Sequence, residues 1–225
     1  MKCKVFSKII VVIFIAGLMG CASYTATAPV NPGSAQNAIS SENGGIKITV
    51  LPVQTKEDAK RFFDYEKISN EGFMPIYLTM SNMSQQLNYQ ITSIILKTPD
   101  SKNLDVLPVE EAYKHVKKSW VGRSLGWGLL TIVAIPISAA HTSSVNDKIM
   151  ADLKEKQFMA KEVKSGETQS GFLYFKLDEK TTTLDGHSVV VSFHGSEKKE
   201  ITLPLKGKID SKDTDEQKKE ESSEK

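Results

Sequence analysis

The sequence predicts a mainly β chain, an antiparallel β-sandwich that carries an inserted apolar helical hairpin. Three observations point there. Short stretches alternate apolar and polar residues, such stretches stand on both sides of a helix-patterned centre, and polar or glycine-bearing turns join them as in hairpins. That arrangement favours an antiparallel sandwich over a parallel sheet.

The folded region is expected to start at Ile46, where Ile46, Ile48 and Val50 alternate with Lys47 and Thr49 until Pro52 ends the strand. Residues 55–65 (TKEDAKRFFDY) read as a short helix or turn. Residues 73–83 (FMPIYLTMSNM) put Ile76, Leu78 and Met80 on one face and Tyr77 and Thr79 on the other. After the polar turn Ser84-Gln85-Gln86, residues 87–97 follow as a partner strand, so the two read as a β-hairpin. Beyond Pro108, Val109, Ala112, Tyr113, Val116 and Trp120 recur at helical spacing, with acids early and lysines late as the helix dipole favours. A second helix is expected over residues 145–158, where Ile149, Leu153 and Lys156 recur three and four apart. Residues 168–177, 188–194 and 200–205 return to strands.

Ahead of this region, residues 1–20 have the parts of a secretory signal peptide: Lys2, Lys4 and Lys8, an apolar run from Ile9 to Leu18, and small residues at the end. The run is too short for an ordinary transmembrane helix. It closes on Leu18-Met19-Gly20-Cys21, which resembles the bacterial lipobox. The resemblance implies that the Cys21 thiol receives a diacylglyceryl group. Cleavage before Cys21 then frees an amine for a further fatty chain such as palmitate. Each buried methylene contributes about 0.8 kcal/mol, so two or more chains on one residue hold it firmly in membrane lipid. Ala22 and Ser23 follow, without Asp at the second mature position, a pattern that resembles outer-membrane lipoproteins facing the periplasm in a host with two membranes. Residues 21–45 form the lipidated start and a flexible tether, rich in Ala, Ser, Thr, Pro, Asn and Gly with Glu42 as its one charge. The sandwich domain is expected over residues 46–206 with its insert at about 109–158, and residues 207–225 read as a disordered charged tail.

The segments GFMPIYLTMSN (72–82) and SGETQSGFLYFKL (165–177) are similar to strand signatures of immunoglobulin-like domains in uncharacterised bacterial envelope lipoproteins. That similarity implies an immunoglobulin-like sandwich and no particular activity.

The net charge is +2, and removing Lys2, Lys4 and Lys8 leaves −1, which argues against a nucleic-acid partner. Of the two cysteines, Cys3 leaves with the signal and Cys21 is taken by lipid, so no disulfide is expected.

From Ser124 to Thr142 no residue carries a fixed charge, and counted from Trp120 the run approaches the roughly 20 residues that cross a hydrocarbon core. Gly122 and Gly126, and Ser124 and Gly128, are small-residue pairs at the spacing used in membrane helix contacts, and Pro136 is expected to kink a helix. Two readings stand. In one, Trp120, Gly122, Gly126, Trp127, Gly128, Leu129 and Leu130 dip into the bilayer or meet copies of themselves. In the other, the run is a helical hairpin, broken at Pro136, that covers an open face of the sandwich.

Gly122-Arg123-Ser124-Leu125-Gly126 satisfies the G-x-S-x-G pattern of the nucleophile elbow, with Asp147, Asp152 or Asp178 and His187 or His194 in the right chain order for a triad. The elbow needs a strand before it, and here a helix-patterned stretch precedes it. His115, His141, His187 and His194 lack metal-ligand spacing, no phosphate or dinucleotide loop is present, and no metal or cofactor is expected. His187 and His194 are seven apart, which puts them on opposite faces of a strand. The chain therefore reads as a non-catalytic, membrane-anchored envelope lipoprotein that binds or supports another envelope protein. The alternatives are an accessory subunit of an envelope secretion or transport complex and a cell-envelope hydrolase using Ser124.

Overall fold

The computed structural model describes residues 37–63, 72–116, 134–178 and 180–209, with residues 134–144 described by their backbone. The chain divides into two compact units, Met1–Thr25 with Lys118–Lys148 and Ala26–Lys117 with Ile149–Lys225. Of the first, the described residues are helical. The second is a β-sandwich with a helical layer.

Its strands are β1 (Ile39–Asn43), β2 (Ile46–Pro52), β3 (Phe73–Asn82), β4 (Tyr89–Lys97), β5 (Asn103–Asp105), β6 (Glu162–Val163), β7 (Thr168–Lys176), β8 (Ser188–His194) and β9 (Lys198–Pro204). The helices are α1 (Lys56–Phe63), α2 (Val109–Val116) and α3 (Ala134–Lys156). One sheet runs β1-β2-β3-β7 and the other β5-β4-β8-β9 with β6 against β4, and every pairing is antiparallel. In an immunoglobulin-like sandwich, strands A, B and E share one sheet and C, F and G the other. Here β2, β3 and β7 take the first set of places and β4, β8 and β9 the second, while between β4 and β7 the chain carries β5, the helices α2 and α3, and β6.

The two inner faces interlock through one alternation. Ile48 and Val50 of β2, Ile76, Leu78 and Met80 of β3, and Leu173 and Phe175 of β7 meet Leu96, Val189, Val191, Phe193, Ile201 and Leu203 from the second sheet. Tyr77, on the other face of β3, is buried too. The first sheet is thus covered on both sides, which explains why β3 and β7 read as almost continuous apolar runs. On its outer face Phe172 packs against Phe62 (5.3 Å between ring centroids), Phe63 (4.7 Å) and Tyr77 (4.9 Å). Phe73 stacks on Tyr174 and on His115 of α2. Helix α1 starts with Thr55 Oγ1 accepting the Asp58 N–H at 3.1 Å, an N-cap, and buries Ala59, Phe62 and Phe63. Helix α2 buries Val109, Ala112 and Val116, and the last turns of α3 bury Ile149 and Leu153.

The helical connections also protect a sheet edge. The Phe158 N–H donates to Phe172 O at 2.9 Å and the Leu107 N–H to Tyr174 O at 2.7 Å, so the outer edge of β7 is taken up where the chain leaves and rejoins the strands. At Gly171 the approach is so close that a Cβ would stand 2.5 Å from the Phe158 nitrogen.

Four features depart from the sequence reading. Strands β3 and β4 are not a hairpin, because their connection crosses from one sheet to the other. Strand β1 lies inside the stretch expected to be tether. A two-residue turn, Gly44 (φ 61°) and Gly45 (φ 83°), joins it to β2, and positive φ at both central positions suits a type I′ hairpin. At the other end the described chain runs to Ile209, whose N–H donates to Thr182 O at 2.9 Å, so residues 207–209 belong to the domain. Helix α3 starts at Ala134 instead of Val145. Pro136 falls in its first turn, where a missing N–H removes no helical hydrogen bond, so it neither kinks nor breaks the helix. No helix among the described residues is long and apolar enough to cross a membrane.

Candidate functional site

Chain direction gathers a set of loops at one end of the sandwich. The β3–β4 connection (83–88), the β6–β7 turn (164–167), the β8–β9 turn (195–197) and the Gly44-Gly45 turn all lie there, since Ile46 pairs with Asn82, Ser81 with Thr168 and Gln90 with His194. Asn82, the last residue of β3, ties them together. Its buried amide donates to Leu87 O at 2.6 Å and Val163 O at 3.0 Å, and its Oδ1 accepts the Ser84 N–H at 2.9 Å. The backbone of Asn82 accepts the Gly166 N–H at 3.0 Å.

Further bonds brace the same end. Ser165 Oγ donates to Ser84 O at 2.7 Å, the Ser165 N–H donates to Asn88 Oδ1 at 3.1 Å, and the Met83 N–H donates to Gly45 O at 2.7 Å. The Tyr89 hydroxyl donates to Gly44 O, and its ring meets Phe193 edge-on at 5.5 Å. A Cβ at Gly195 would stand 2.6 Å from that ring, so the β8–β9 turn needs glycine there. The Glu167 carboxyl is held below the usual carboxylate range, first by the Lys164 N–H and then by Gln169.

On this braced frame Met83 and Leu87 stand 49% and 37% exposed, two of the three large apolar side chains so exposed among the described residues. Between them lie Ser84, Gln85 and Gln86, and residues 83–88 carry no charge. A fixed loop of apolar and amide side chains suits contact with a protein surface, since little conformational freedom is lost on binding. Asn82→Ala leaves two carbonyls and one N–H without their partner. It is expected to lower stability by about 2 kcal/mol and Tm by about 4–8 °C, read by thermal circular dichroism; an unchanged Tm would contradict the pinning role.

Of the residues singled out from sequence, Cys21, Trp120, Gly122, Ser124, Gly126, Trp127, Gly128, Leu129 and Leu130 lie outside the described residues. The described element that precedes Ser124 is helix α2, where a nucleophile elbow needs a strand. His187 is buried and His194 exposed, at opposite ends of the segment that holds β8, and the Nδ1 of His187 has no hydrogen-bond partner among the described residues. Asp147 and Asp178 are exposed. Asp152 is buried against Lys156, with Oδ2 2.7 Å from Nζ, and the same ammonium donates to Phe62 O at 2.6 Å. Ile149, Leu153 and Lys156 do share the buried face of α3, as their spacing suggested. The Tyr174 hydroxyl donates to Leu153 O at 3.1 Å and is pushed well above its ordinary pKa, first by burial and then by the charge of Asp152. Sequence reasoning missed both Asn82 and the Asp152–Lys156 pair. The four-residue spacing of the pair was visible, yet it is equally that of an ordinary surface pair.

No protein-family model, curated protein or solved structure matches this chain.

Proposed function

We propose that this chain is a lipid-anchored envelope protein whose immunoglobulin-like sandwich binds or supports another envelope protein, without chemistry of its own. Cys21 is the anchor, and the loop end with Met83 and Leu87 is the contact surface. The observation that carries the reading is the braced, charge-free β3–β4 loop with two exposed apolar side chains. The signal-like residues 1–20 and the lipobox-like run ending at Cys21 support the anchor. In a host with two membranes the place is the periplasmic face of the outer membrane.

The test is photo-crosslinking in intact cells from a reactive residue placed at Leu87, with Thr202 on the outer face of the second sheet as the comparison. A discrete protein adduct from position 87, absent from 202 and lost in a Cys21→Ser background, is the expected result. Equal adducts from both positions, or none from 87, would contradict the contact surface. Cys21→Ser is also expected to move the protein out of the acylated membrane fraction, read by fatty-acid labelling.

A further inference from the structure

Seven methionines occur in the chain, and the structure describes the side chains of five, Met74, Met80, Met83, Met150 and Met159. Met74 and Met80 belong to β3 and have no exposed surface, packed as they are in the core between the sheets. Met83 stands three residues beyond Met80, just past the end of the same strand, and is 49% exposed. Met150 on α3 is half-buried, and Met159, between α3 and β6, is 73% exposed. Among the described residues there is no cysteine to intercept an oxidant ahead of these thioethers.

The exposure of Met83 is set by its backbone. The Met83 N–H donates to Gly45 O at 2.7 Å, the Asn82 amide before it donates to Leu87 O and Val163 O, and Ser84 Oγ after it accepts the N–H groups of Gln86 at 3.3 Å and Leu87 at 3.2 Å. A thioether needs no deprotonation to react, so access governs its rate. Its sulfur lone pair attacks one oxygen of hydrogen peroxide and the O–O bond breaks. The sulfur is oxidised by two electrons to the sulfoxide, and the other oxygen leaves as water with both protons of the peroxide. The product is a polar, chiral side chain in place of a flexible apolar one.

We propose that Met83 is an oxidation site through which an oxidant of the peroxide class switches off the contact surface at the loop end. The proposal rests on the reading of that loop as a contact surface and adds its regulation. Of the two exposed apolar side chains on the loop, oxidation removes one. A sulfoxide oxygen pressed into an apolar partner without a donor weakens the contact by about tenfold. Met159 is open to the same reaction but follows Phe158, whose N–H is bonded to Phe172 O, and so lies outside the loop and serves as the reference.

The test has two arms. In the first, the purified full chain is exposed to millimolar hydrogen peroxide, and the sulfoxide at each methionine is followed by peptide mass spectrometry. Met83 and Met159 are expected to oxidise at least about tenfold faster than Met74 and Met80, with the melting temperature unchanged. In the second, photo-crosslinking from position 87 is repeated in cells pretreated with peroxide, and each variant's adduct is compared with its own untreated yield. The adduct is expected to fall about tenfold in the parent and in Met159→Leu but not in Met83→Leu. Methionine sulfoxide reductase is expected to restore it in Met159→Leu, which decides the matter if Met83→Leu yields too little adduct to compare. Oxidation of Met83 no faster than that of Met74 and Met80, an equal loss of adduct in Met83→Leu and the parent, or a loss that the reductase does not reverse overturns the proposal. Absence of any adduct from untreated cells counts against the contact surface and so against the switch, while the peptide map separately decides whether Met83 is the oxidation site.

Discussion

Lys156→Met is expected to destabilise the protein by about 3–5 kcal/mol, because it takes a hydrogen-bonded cation away from the buried Asp152 carboxylate. Both side chains are within a few per cent of complete burial. Lys156 also lies 5.5 Å from the centre of the Phe63 ring and donates to Phe62 O, so its loss frees the last turn of α1 from that of α3. Two carbonyls near the helical layer depend on buried donors, Phe62 O on Lys156 and Leu153 O on Tyr174. Thermal denaturation should register a fall in Tm of about 10 °C or more. The double variant Asp152→Leu with Lys156→Met should recover most of that loss, since an apolar pair of similar volume leaves no buried charge. A single variant that melts within 2 °C of the parent would mean that the pair is hydrated.

Gly171→Ala is the second large effect. Its new methyl would stand 2.5 Å from Phe158 N, 2.6 Å from Phe158 Cα and 2.8 Å from Gln157 C, all of them backbone atoms that no rotamer change can move aside. The rejoining segment must then retreat from β7, giving up the bond from Phe158 to Phe172 O. A loss of about 3 kcal/mol is expected. Hydrogen exchange at the Phe158 amide should accelerate by more than that at Val191 in the centre of the second sheet. Unchanged protection at Phe158 would show that the strand edge tolerates the methyl.

The parts of the fold that the sequence made legible are those where burial on one face leaves a periodic trace. Strands β2, β3, β7, β8 and β9 and helices α1 and α2 all carry apolar positions at the spacing of their element. Strand β1 leaves no such trace, because ISSEN is an edge strand with no fully buried side chain, and only the Asn43-Gly44-Gly45 turn betrays it. The supposed hairpin of residues 73–97 failed for a different reason. Alternation reports that each strand has an inner face but not which strand lies beside it, and a crossing connection looks the same in sequence as a pairing one. For β3 the neighbours are β2 and β7, the latter more than 80 residues away in sequence.

The candidate site was legible only in composition. The polar turn after Met83 could be read, but the convergence of loops from residues 44, 83, 165 and 195 is a product of topology. Asn82 looks like any polar residue at a strand end until its three side-chain bonds are seen. Lys156 was placed on the apolar stripe of its helix by spacing, yet its partner Asp152 became evident only once both were found buried.

Everything proposed about place depends on whether the chain is processed to begin at an acylated Cys21. Intact-mass and fragment-ion analysis of the protein extracted from its native membrane reads this directly. The account predicts a first residue of Cys21 that bears a diacylglyceryl group on sulfur, with residues 1–20 absent. A chain that starts elsewhere, or a Cys21 with a free thiol, would contradict it.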